Sequence, residues 1–535
     1  MPPSLLSIVD RRAINPIRAG RVCRQRSRNE IMNDYSGQTF LLVINSAAYT
    51  REYFLRLGAE LEKHGARVAF VLDSHLSDVM SGDNAAIERA WYFTDYCRTR
   101  VGKLGGDAVK GLGWDSLISD FDRFVTYGMT PPLTMSGAMD YRTAIALLHN
   151  FYEDLFEAVH PDAVVYEQVS NSFAMGAYRA ADRRGIPFFS VAPARIPGHV
   201  EISPSGAFRD HETVGALFDR VKLTGGDPAA RRIATEYIAS IDEAVPDYMR
   251  KGGDGAVLMS TSLIDKYFKR EKMVRFGRML RYRRSHRDDM AFAYQFGDPV
   301  LASRALLRRA VMRRLRFGAV TRLFQDKVST DKYFLYPLHF HPEASTSVLA
   351  SDFIDELSVI QAIAFRLPLD VKLVVKEHPS ATALQPLAFY RALDALPNVE
   401  LVGPGLNSKE LARKSLGVIC ITSTLGFEAA ALNKPVICFG DVLYGYFPNV
   451  RMIDSYPALG DALDWALHYQ PLDFEEIIAA MTAYVEFADA GSFSFRGSLG
   501  DDAAIEHIAG LLMSKLAGRS DDAQRVSPPA ITYNG

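Results

Sequence analysis

Short apolar runs and amphipathic segments alternate along the first part of the chain. The run Thr39–Ile44 is almost entirely apolar, which predicts a strand that is buried on both faces. Residues 53–64 then place apolar side chains at helical spacing and stop at Gly65, a residue suited to a helix C-cap. The next apolar run is Arg67–Leu72. A strand, a helix and a strand in this order predict a parallel βαβ unit with a right-handed crossover.

The same pattern returns farther along, with strands predicted over 161–166 and 186–191 and a helix over 171–184. We therefore predict a Rossmann-like domain over residues 36–255. Residues 1–35 differ, because they carry seven arginines and few acidic residues and show no apolar period. Such a segment is typical of either a basic arm for an anionic surface or a disordered leader upstream of a start at Met32, and we predict the disordered leader.

Residues 256–330 form a basic helical region between two α/β stretches. From residue 266 to residue 327 the chain has eighteen lysines and arginines but five acidic residues. Over residues 306–324, apolar side chains alternate with arginine pairs at roughly helical spacing. This pattern fits a helix that lies on an anionic bilayer, and it also fits a charged, solvated face whose apolar stripe docks on the domain.

The α/β alternation resumes at residue 331 and continues to 516, which predicts a second Rossmann-like domain. Its predicted strands cover 333–336, 371–375, 399–402, 418–421 and 436–439. Residues 517–535 are polar, and we predict a disordered tail there. The predicted fold is α/β, with two Rossmann-like domains that face each other across a cleft and a helical basic insert between them.

Composition and charge exclude several classes of protein. The chain has 535 residues and a formal net charge of −2, so it lacks the global positive field of nucleic-acid binders. Four widely spaced cysteines exclude a disulfide scaffold and give no zinc framework. No run approaches 18 apolar residues, and the apolar stretch near the N-terminus is too short for a signal-peptide core. We therefore expect a cytoplasmic protein with no nucleic-acid partner.

Polar residues that follow the predicted strands are the candidates for chemistry, because ligands of open α/β sheets bind outside the carboxyl ends of the strands. In the second domain, Lys376, Glu377, His378 and Pro379 follow one strand. A histidine there can donate to a phosphate or a base carbonyl, and Lys376 adds positive charge. The alternative is a surface turn with a solvated histidine.

The next loop of this kind contains Thr422, Ser423, Thr424, Gly426 and Glu428. Hydroxyl side chains and backbone N–H groups at the start of a helix can bind a phosphate, and Glu428 can accept the ribose hydroxyls of a nucleotide. The alternative is an ordinary helix N-cap with an acidic first turn. Together with the preceding motif, this loop predicts a nucleotide-phosphate site.

Two further clusters have less specific patterns. His339, His341 and Glu343 follow the first strand of the second domain, and we expect donor or acceptor contacts in the cleft from them rather than metal binding. In the first domain, Glu167 follows a strand and is either a catalytic carboxylate or an acid that complements a helix dipole. Motifs for ATP hydrolysis, NAD binding and a serine nucleophile elbow are absent from the sequence.

Four motifs of the second domain together resemble the capsule polysaccharide biosynthesis family. They lie at residues 336–346, 376–379, 422–429 and 434–437. That family includes Kdo transferases that build the lipid-proximal linker of bacterial capsules. It is more distantly similar to bacterial sialyltransferases, which hold a CMP-sugar with a His-Pro motif and a Ser/Thr motif. The resemblance implies a GT-B fold, with the donor nucleotide on the C-terminal domain and the acceptor on the N-terminal domain.

The resemblance also implies roles for individual residues. His378 would contact the donor nucleotide or its phosphate, Ser423 and Thr424 would bind that phosphate, Glu428 would contact ribose, and Glu167 would be the catalytic carboxylate on the acceptor side. The implied reaction transfers Kdo or a related sugar from a CMP-activated donor to a lipid-linked or saccharide acceptor, with no metal or other cofactor.

Three alternatives share this architecture. The first is a UDP-sugar transferase or a CDP-glycerol-type polymer transferase, and the second is an enzyme like UDP-GlcNAc 2-epimerase. The third is a non-catalytic subunit of a polysaccharide assembly complex. Peripheral contact of the basic helices with the inner face of the cytoplasmic membrane is a further prediction.

Overall fold

The computed structural model describes residues 37–45, 48–81, 87–133, 137–245, 268–295, 297–493 and 501–525. The predicted leader, residues 1–35, and the last ten residues of the predicted tail lie outside this part of the chain. Within the tail, the helix Asp502–Arg525 continues past residue 517, where we had predicted disorder. The part of this helix before residue 517 docks through buried residues, Leu512 and Leu516 among them.

The first domain is built on a mostly parallel sheet whose strands are ordered β13-β6-β5-β4-β1-β2-β3. The central strands are fully buried, as their apolar runs predicted. Strands β6 and β13 run antiparallel to their neighbours at one edge. The strands are β1 (Thr39–Ile44), β2 (Arg67–Leu72), β3 (Ala90–Tyr92), β4 (Ala163–Tyr166), β5 (Phe188–Pro193), β6 (His199–Ser203) and β13 (Asp489–Ala490).

The second domain has an all-parallel sheet in the order β12-β11-β10-β7-β8-β9. Its strands are β7 (Tyr333–Pro337), β8 (Lys372–Lys376), β9 (Val399–Val402), β10 (Gly417–Cys420), β11 (Val436–Cys438) and β12 (Val450–Met452). In both sheets the chain steps outward in both directions from a central strand, which is a Rossmann-like arrangement. The predicted α/β, GT-B-like fold with two Rossmann-like domains is therefore confirmed.

Helices cover both sheets. Those of the first half are α1 (Ala48–Lys63), α2 (Leu76–Ser81), α3 (Phe93–Arg100), α4 (Ile118–Tyr127), α5 (Tyr141–Val159), α6 (Ser172–Asp182), α7 (Asp210–Thr224) and α8 (Pro228–Ala239). The basic region contributes α9 (Arg270–Ser285), α10 (Arg287–Phe292) and α11 (Pro299–Thr321). The second half adds α12 (Ala344–Ser347), α13 (Glu356–Ala364), α14 (Leu387–Asp394), α15 (Ser408–Lys414), α16 (Thr424–Ala431), α17 (Leu459–Leu467), α18 (Phe474–Phe487) and α19 (Asp502–Arg525).

The packing of the helices on the two sheets does not follow their order in the chain, and the predicted boundary at residue 255 lies outside the described residues. Helices α7 and α8 lie within the predicted first domain, but their apolar faces join the core of the second through residues such as Phe218 and Tyr237. Conversely, β13 and α19 return to the first sheet, where Ile505 and Leu512 are buried in its core. Apolar periodicity shows that a helix has a buried face, but it does not show which sheet covers that face.

The basic helices bridge the two domains. Helix α9 packs on α2 of the first domain through Met279 and Tyr282, whereas α11 meets the second domain through Val320, which packs with Tyr390. Asp298 is the N-cap of helix α11, and its carboxylate accepts from the first N–H groups. Proline follows at the first helical position. Among the described residues, no helix combines the length and apolar character that a bilayer-crossing segment needs.

Candidate functional site

His378 lies just beyond the carboxyl end of β8, as predicted. The backbone N–H of Ser380 donates to its Nδ1 at 3.2 Å. Burial lowers the pKa of His378 to about 4, and electrostatic interactions with His339 and Lys376 act in the same direction. The ring is therefore neutral at physiological pH, and because Nδ1 accepts a hydrogen bond, the proton resides on Nε2. In the described part of the chain no group accepts from Nε2, so His378 presents an N–H donor at the sheet edge.

The loop that carries His378 is supported from two sides. Glu377 accepts from the backbone N–H of His378 at 2.8 Å and from the Tyr390 hydroxyl at 2.6 Å, and burial raises its pKa to about 7. Arg313 of the basic helix α11 donates to the carbonyl oxygens of Ser380 at 3.1 Å and Thr382 at 2.7 Å. The basic insert thus holds the loop that sets the tautomer of His378.

Lys376 is the last residue of β8, and its side chain is buried. Its Nζ lies 3.4 Å from the carbonyl oxygen of Pro404, in the loop after β9. Burial lowers the pKa of Lys376 to about 8, although the neighbouring Glu377 acts in the opposite direction. Pro379, by contrast, is exposed beside His378. The structure therefore places Lys376 toward the β9 loop, and a phosphate contact from it remains a prediction.

His339 links two loops of the second domain. Its Nδ1 and its backbone N–H donate to the buried carboxylate of Glu356, at 2.8 and 3.0 Å. Its Nε2 accepts from the backbone N–H of Thr422 at 3.2 Å. Both ring nitrogens are occupied, so His339 acts as a bridge that fixes the loop after β10 relative to the loop after β7.

His341 connects the second domain to helix α4 of the first. Its Nδ1 is 3.9 Å from Asp122, and its Nε2 is 3.9 Å from Glu356. Asp122 also accepts from the Ser347 hydroxyl. Burial lowers the pKa of His341, but Asp122 and Glu356 outweigh it and raise the pKa above its usual value. Glu343, by contrast, is exposed and accepts from the Ser345 hydroxyl at 3.4 Å.

The hydroxyl-rich loop leads into helix α16. Ser423 is the N-cap, and its hydroxyl accepts from the N–H of Leu425 at 3.2 Å. The Tyr444 hydroxyl holds the loop from behind, donating to the carbonyl oxygen of Ser423 at 2.7 Å. A methyl group at Gly426 would collide with that same tyrosine hydroxyl, so glycine is needed there for close packing. Thr424 begins the helix, so the two predicted phosphate ligands flank its N-terminus.

Glu428 lies in the middle of α16 and is buried. Its carboxylate is 3.2 Å from the Nζ of Lys409, which also donates to the carbonyl oxygen of Ile241 at 2.6 Å. Burial raises the pKa of Glu428, and the positive charge of Lys409 opposes that effect. The structure therefore pairs Glu428 with a lysine, and the ribose contact remains a prediction.

Glu167 stands at the carboxyl end of β4 in the first sheet. Asn45, which follows β1, donates to its carboxylate at 2.7 Å and to the Tyr166 hydroxyl at 3.1 Å. Burial raises the pKa of Glu167 to about 7, and hydrogen bonds from Tyr166 and Asn45 limit the rise. A carboxylate with a pKa near neutrality can both accept and release a proton, as a general base must.

Within the described residues, one cluster has the composition of a metal site. His75, Asp95 and Asp289 bring ligand atoms within 4.8 Å of one another beside the edge strand β3. Their contacts already account for the cluster, because His75 lies 2.9 Å from Asp95 and the Tyr282 hydroxyl donates to Asp289 at 2.7 Å. The absence of a metal cofactor stays a prediction.

Several residues of the site were not singled out from the sequence. Glu356 and Tyr444 support the loops from other elements, and no local motif links either of them to its partner. Arg313 belonged to the basic stretch, where many arginines have the same spacing. A sequence signal that links positions distant in the chain would have been needed to predict these contacts.

The family model for capsule polysaccharide biosynthesis proteins matches residues 240–447. This range contains His339, His378 and Ser423 with the loops just described. No curated protein matches the chain.

Solved structures similar to the chain share few identical residues with it. The β-Kdo 2,7-transferase of KpsC from Thermosulfurimonas dismutans has 13% identity and a TM-score of 0.29, over 62% of this chain and 79% of that one. The β-Kdo 2,4-transferase of the same protein has 14% identity and a TM-score of 0.27, over 60% and 79%. UDP-GlcNAc 2-epimerase from Methanocaldococcus jannaschii, in complex with UDP-GlcNAc and UDP, has 11% identity and a TM-score of 0.27, over 89% and 100%.

Scores this low carry no argument about function, and the fold rests on the strand order of the two sheets. The match to the family model does not depend on these structures. The resemblance to the capsule polysaccharide biosynthesis family that the motifs predicted is therefore confirmed over residues 240–447.

Proposed function

We propose that this protein is a glycosyltransferase of bacterial surface-polysaccharide assembly. It transfers a sugar, Kdo or a related one, from a CMP-activated donor to a lipid-linked or saccharide acceptor. The observation that carries the proposal is His378, a neutral histidine with its proton on Nε2, which stands at a sheet edge within the part of the chain that matches the family.

The donor phosphate lies against His378 Nε2–H and the N-terminus of α16. Both groups are fixed donors, and they stabilise the charge that develops on the departing nucleotide as the bond between its phosphate oxygen and the anomeric carbon breaks. Because these donors are held in place by Ser380 and Tyr444, they need little reorganisation during the reaction.

The acceptor hydroxyl oxygen forms the new bond to the anomeric carbon, and its proton passes to the carboxylate of Glu167. The nucleotide leaves as its monophosphate when the donor is a CMP-sugar. Burial holds the pKa of Glu167 at about 7, so the carboxylate is a strong enough base to accept this proton and is largely ionised above neutral pH.

The first experiment measures thermal stabilisation of the full chain by CMP, CDP, UMP and UDP, for the wild type and for His378→Ala. At about 100 times the dissociation constant a ligand adds about 2.7 kcal/mol of stability. We expect a shift with CMP that the variant loses, and a rate with a CMP-sugar that falls about tenfold to a thousandfold. A shift with UDP alone would favour a UDP-sugar transferase or epimerase, and no shift with any nucleotide would refute the proposal.

We also propose that the protein is cytoplasmic and contacts an anionic membrane through α11. Leu307, Val311 and Leu315 recur at intervals of four residues on this helix and are 36%, 37% and 73% exposed, among many arginines. An exposed apolar stripe with flanking basic residues is the pattern of an interfacial helix.

Co-sedimentation with vesicles tests the membrane contact. We expect binding to phosphatidylglycerol-containing vesicles but not to phosphatidylcholine alone, and weaker binding for Val311→Ser/Leu315→Ser. Leu223→Ser on α7 is the control, because Leu223 is 88% exposed on a different helix. Equal sedimentation of both variants with the wild type would contradict the proposal.

A further inference from the structure

A cavity of about 420 Å³ lies where the basic insert meets both domains. One wall is the end of α4 in the first domain, with Tyr127. A second is the side of α11, and the third is formed by the loops after β7 and β8, including Leu338 and Gln385. The cavity is lined on three sides by different parts of the chain, so an occupant would contact the first domain, the insert and the second domain at once.

Three arginines of α11 line this cavity, and in the described part of the chain none of them pairs with an acid. Arg309 donates to the carbonyl oxygen of His341 at 3.2 Å and lies 4.4 Å from the ring centroid of Tyr127. Arg316 has a buried Nε with no hydrogen-bond partner among the described residues. Arg308 is exposed at the rim. A guanidinium with an unsatisfied buried donor is costly unless an anion completes its hydrogen bonds.

The two carboxylates in the cavity wall are already occupied. Glu356 accepts from His339, and Glu377 accepts from Tyr390 and from the backbone N–H of His378. Within the described residues, neither carboxylate forms an ion pair with an arginine. The cavity therefore has a surplus of positive charge, and burial lowers the pKa of Arg316, as expected for a cation without a counter-ion.

We propose that this cavity is a second subsite, distinct from the nucleotide loop, that binds an anionic sugar unit of the substrate through Arg308, Arg309 and Arg316. Its volume is at the lower end of the range for small-molecule sites and suits a single sugar ring. Guanidinium groups bind phosphate and carboxylate oxygens in the same bidentate geometry, so either group on the sugar fits the chemistry. The inference rests on the proposed function, since it names the substrate class for the same cleft.

Isothermal titration calorimetry on the full chain tests this subsite with glucose 1-phosphate, glucuronate and glucose. We expect at least one anionic sugar to bind and neutral glucose not to bind. Binding of glucose 1-phosphate alone would identify a phosphate-bearing unit, and binding of glucuronate alone a carboxylate-bearing unit. Binding of glucose as tight as that of the anions, or no binding of either anion, would overturn the proposal.

Variants assign the binding to the cavity. Arg316→Gln should weaken anion binding at least about tenfold, the effect of losing a hydrogen bond to a charged group. Arg308→Gln is a second variant at an exposed position, where misfolding is not expected, and should weaken binding in the same direction. Arg322→Gln is the control, since Arg322 ends the same helix outside the cavity and is exposed.

The outcome can be separated from that of the proposed function. Stabilisation by CMP should persist in Arg316→Gln, because the nucleotide loop does not include this arginine. If the anionic sugars bind normally to Arg308→Gln and Arg316→Gln but not to His378→Ala, they occupy the nucleotide site and the second subsite is refuted. If the nucleotide shift is absent in the wild type but the anionic sugars bind, the proposed function fails and the anion subsite stands.

Discussion

The carboxyl edges of the two sheets are built in different ways. At the second sheet, three loops are tied together, with His339 joining Glu356 to the loop after β10 and Tyr444 holding Ser423. At the first sheet, Glu167 has Asn45 and Tyr166 as its neighbours at the ends of β1 and β4. A rigid edge suits groups that must already be in place when charge develops, whereas a single half-buried carboxylate suits a proton acceptor with a shifted pKa.

The variant Glu167→Gln is the strongest test of this difference between the two sheet edges. If the first edge supplies only the base, the rate should fall about 10² to 10⁴-fold while nucleotide binding at the second edge is unchanged. Glutamine keeps the shape and the hydrogen bond from Asn45. Steady-state rates and thermal shifts with CMP measure the two effects separately. A rate close to that of the wild type would remove Glu167 from the mechanism.

The pH dependence should differ between the two edges. Glu167 must be ionised to accept a proton, and its pKa is about 7, so the rate should fall about tenfold per pH unit below neutrality, to about a hundredth at pH 5. His378 has a pKa of about 4 and stays neutral over this range. The difference in CMP stabilisation between the wild type and His378→Ala should therefore not grow as the pH is lowered from 8 to 5.5. A difference that grows with acid would show that His378 titrates, because an imidazolium binds phosphate more strongly than a neutral ring does.

Removing the bridge tests whether the second edge is one network. In His339→Ala, the buried Glu356 loses the Nδ1–H donor and the N–H of Thr422 loses its acceptor. We expect about 1 to 3 kcal/mol less stability in urea unfolding, together with weaker nucleotide binding. His468→Ala serves as the matched control, because His468 is 77% exposed. Unchanged nucleotide binding would mean that the loops are positioned without the bridge.

A smaller effect is expected from packing behind the hydroxyl-rich loop. Gly426→Ala would place a methyl group against the Tyr444 hydroxyl and 3.0 Å from the sulfur of Cys420, so we expect a loss of about 1 to 3 kcal/mol. Gly460→Ala on α17 has open space around the new methyl group and should be neutral or stabilising. Urea unfolding of both variants gives the comparison, and equal stability would show that Tyr444 can move away.

Sequence patterns predicted the sheets well, because strands buried on both faces have apolar runs such as Thr39–Ile44. They also located His378 and Ser423 just beyond strand ends, which is where ligands of open α/β sheets bind. They did not identify the role of His339, whose partner Glu356 lies on a helix 17 residues away. The burial of Lys376 and the pairing of Glu428 with Lys409 could not be predicted either, because both depend on elements that are distant in the chain.

The return of the C-terminal segment to the first sheet affects the order in which the protein matures on the ribosome. Phe493, Ile508 and Leu512 belong to the core of the first domain, although residues 204–488, which include the insert and the second sheet, are made before them. Domains generally fold as units while the chain emerges. Here the first domain to be synthesised reaches its complete core only after the second has left the ribosome.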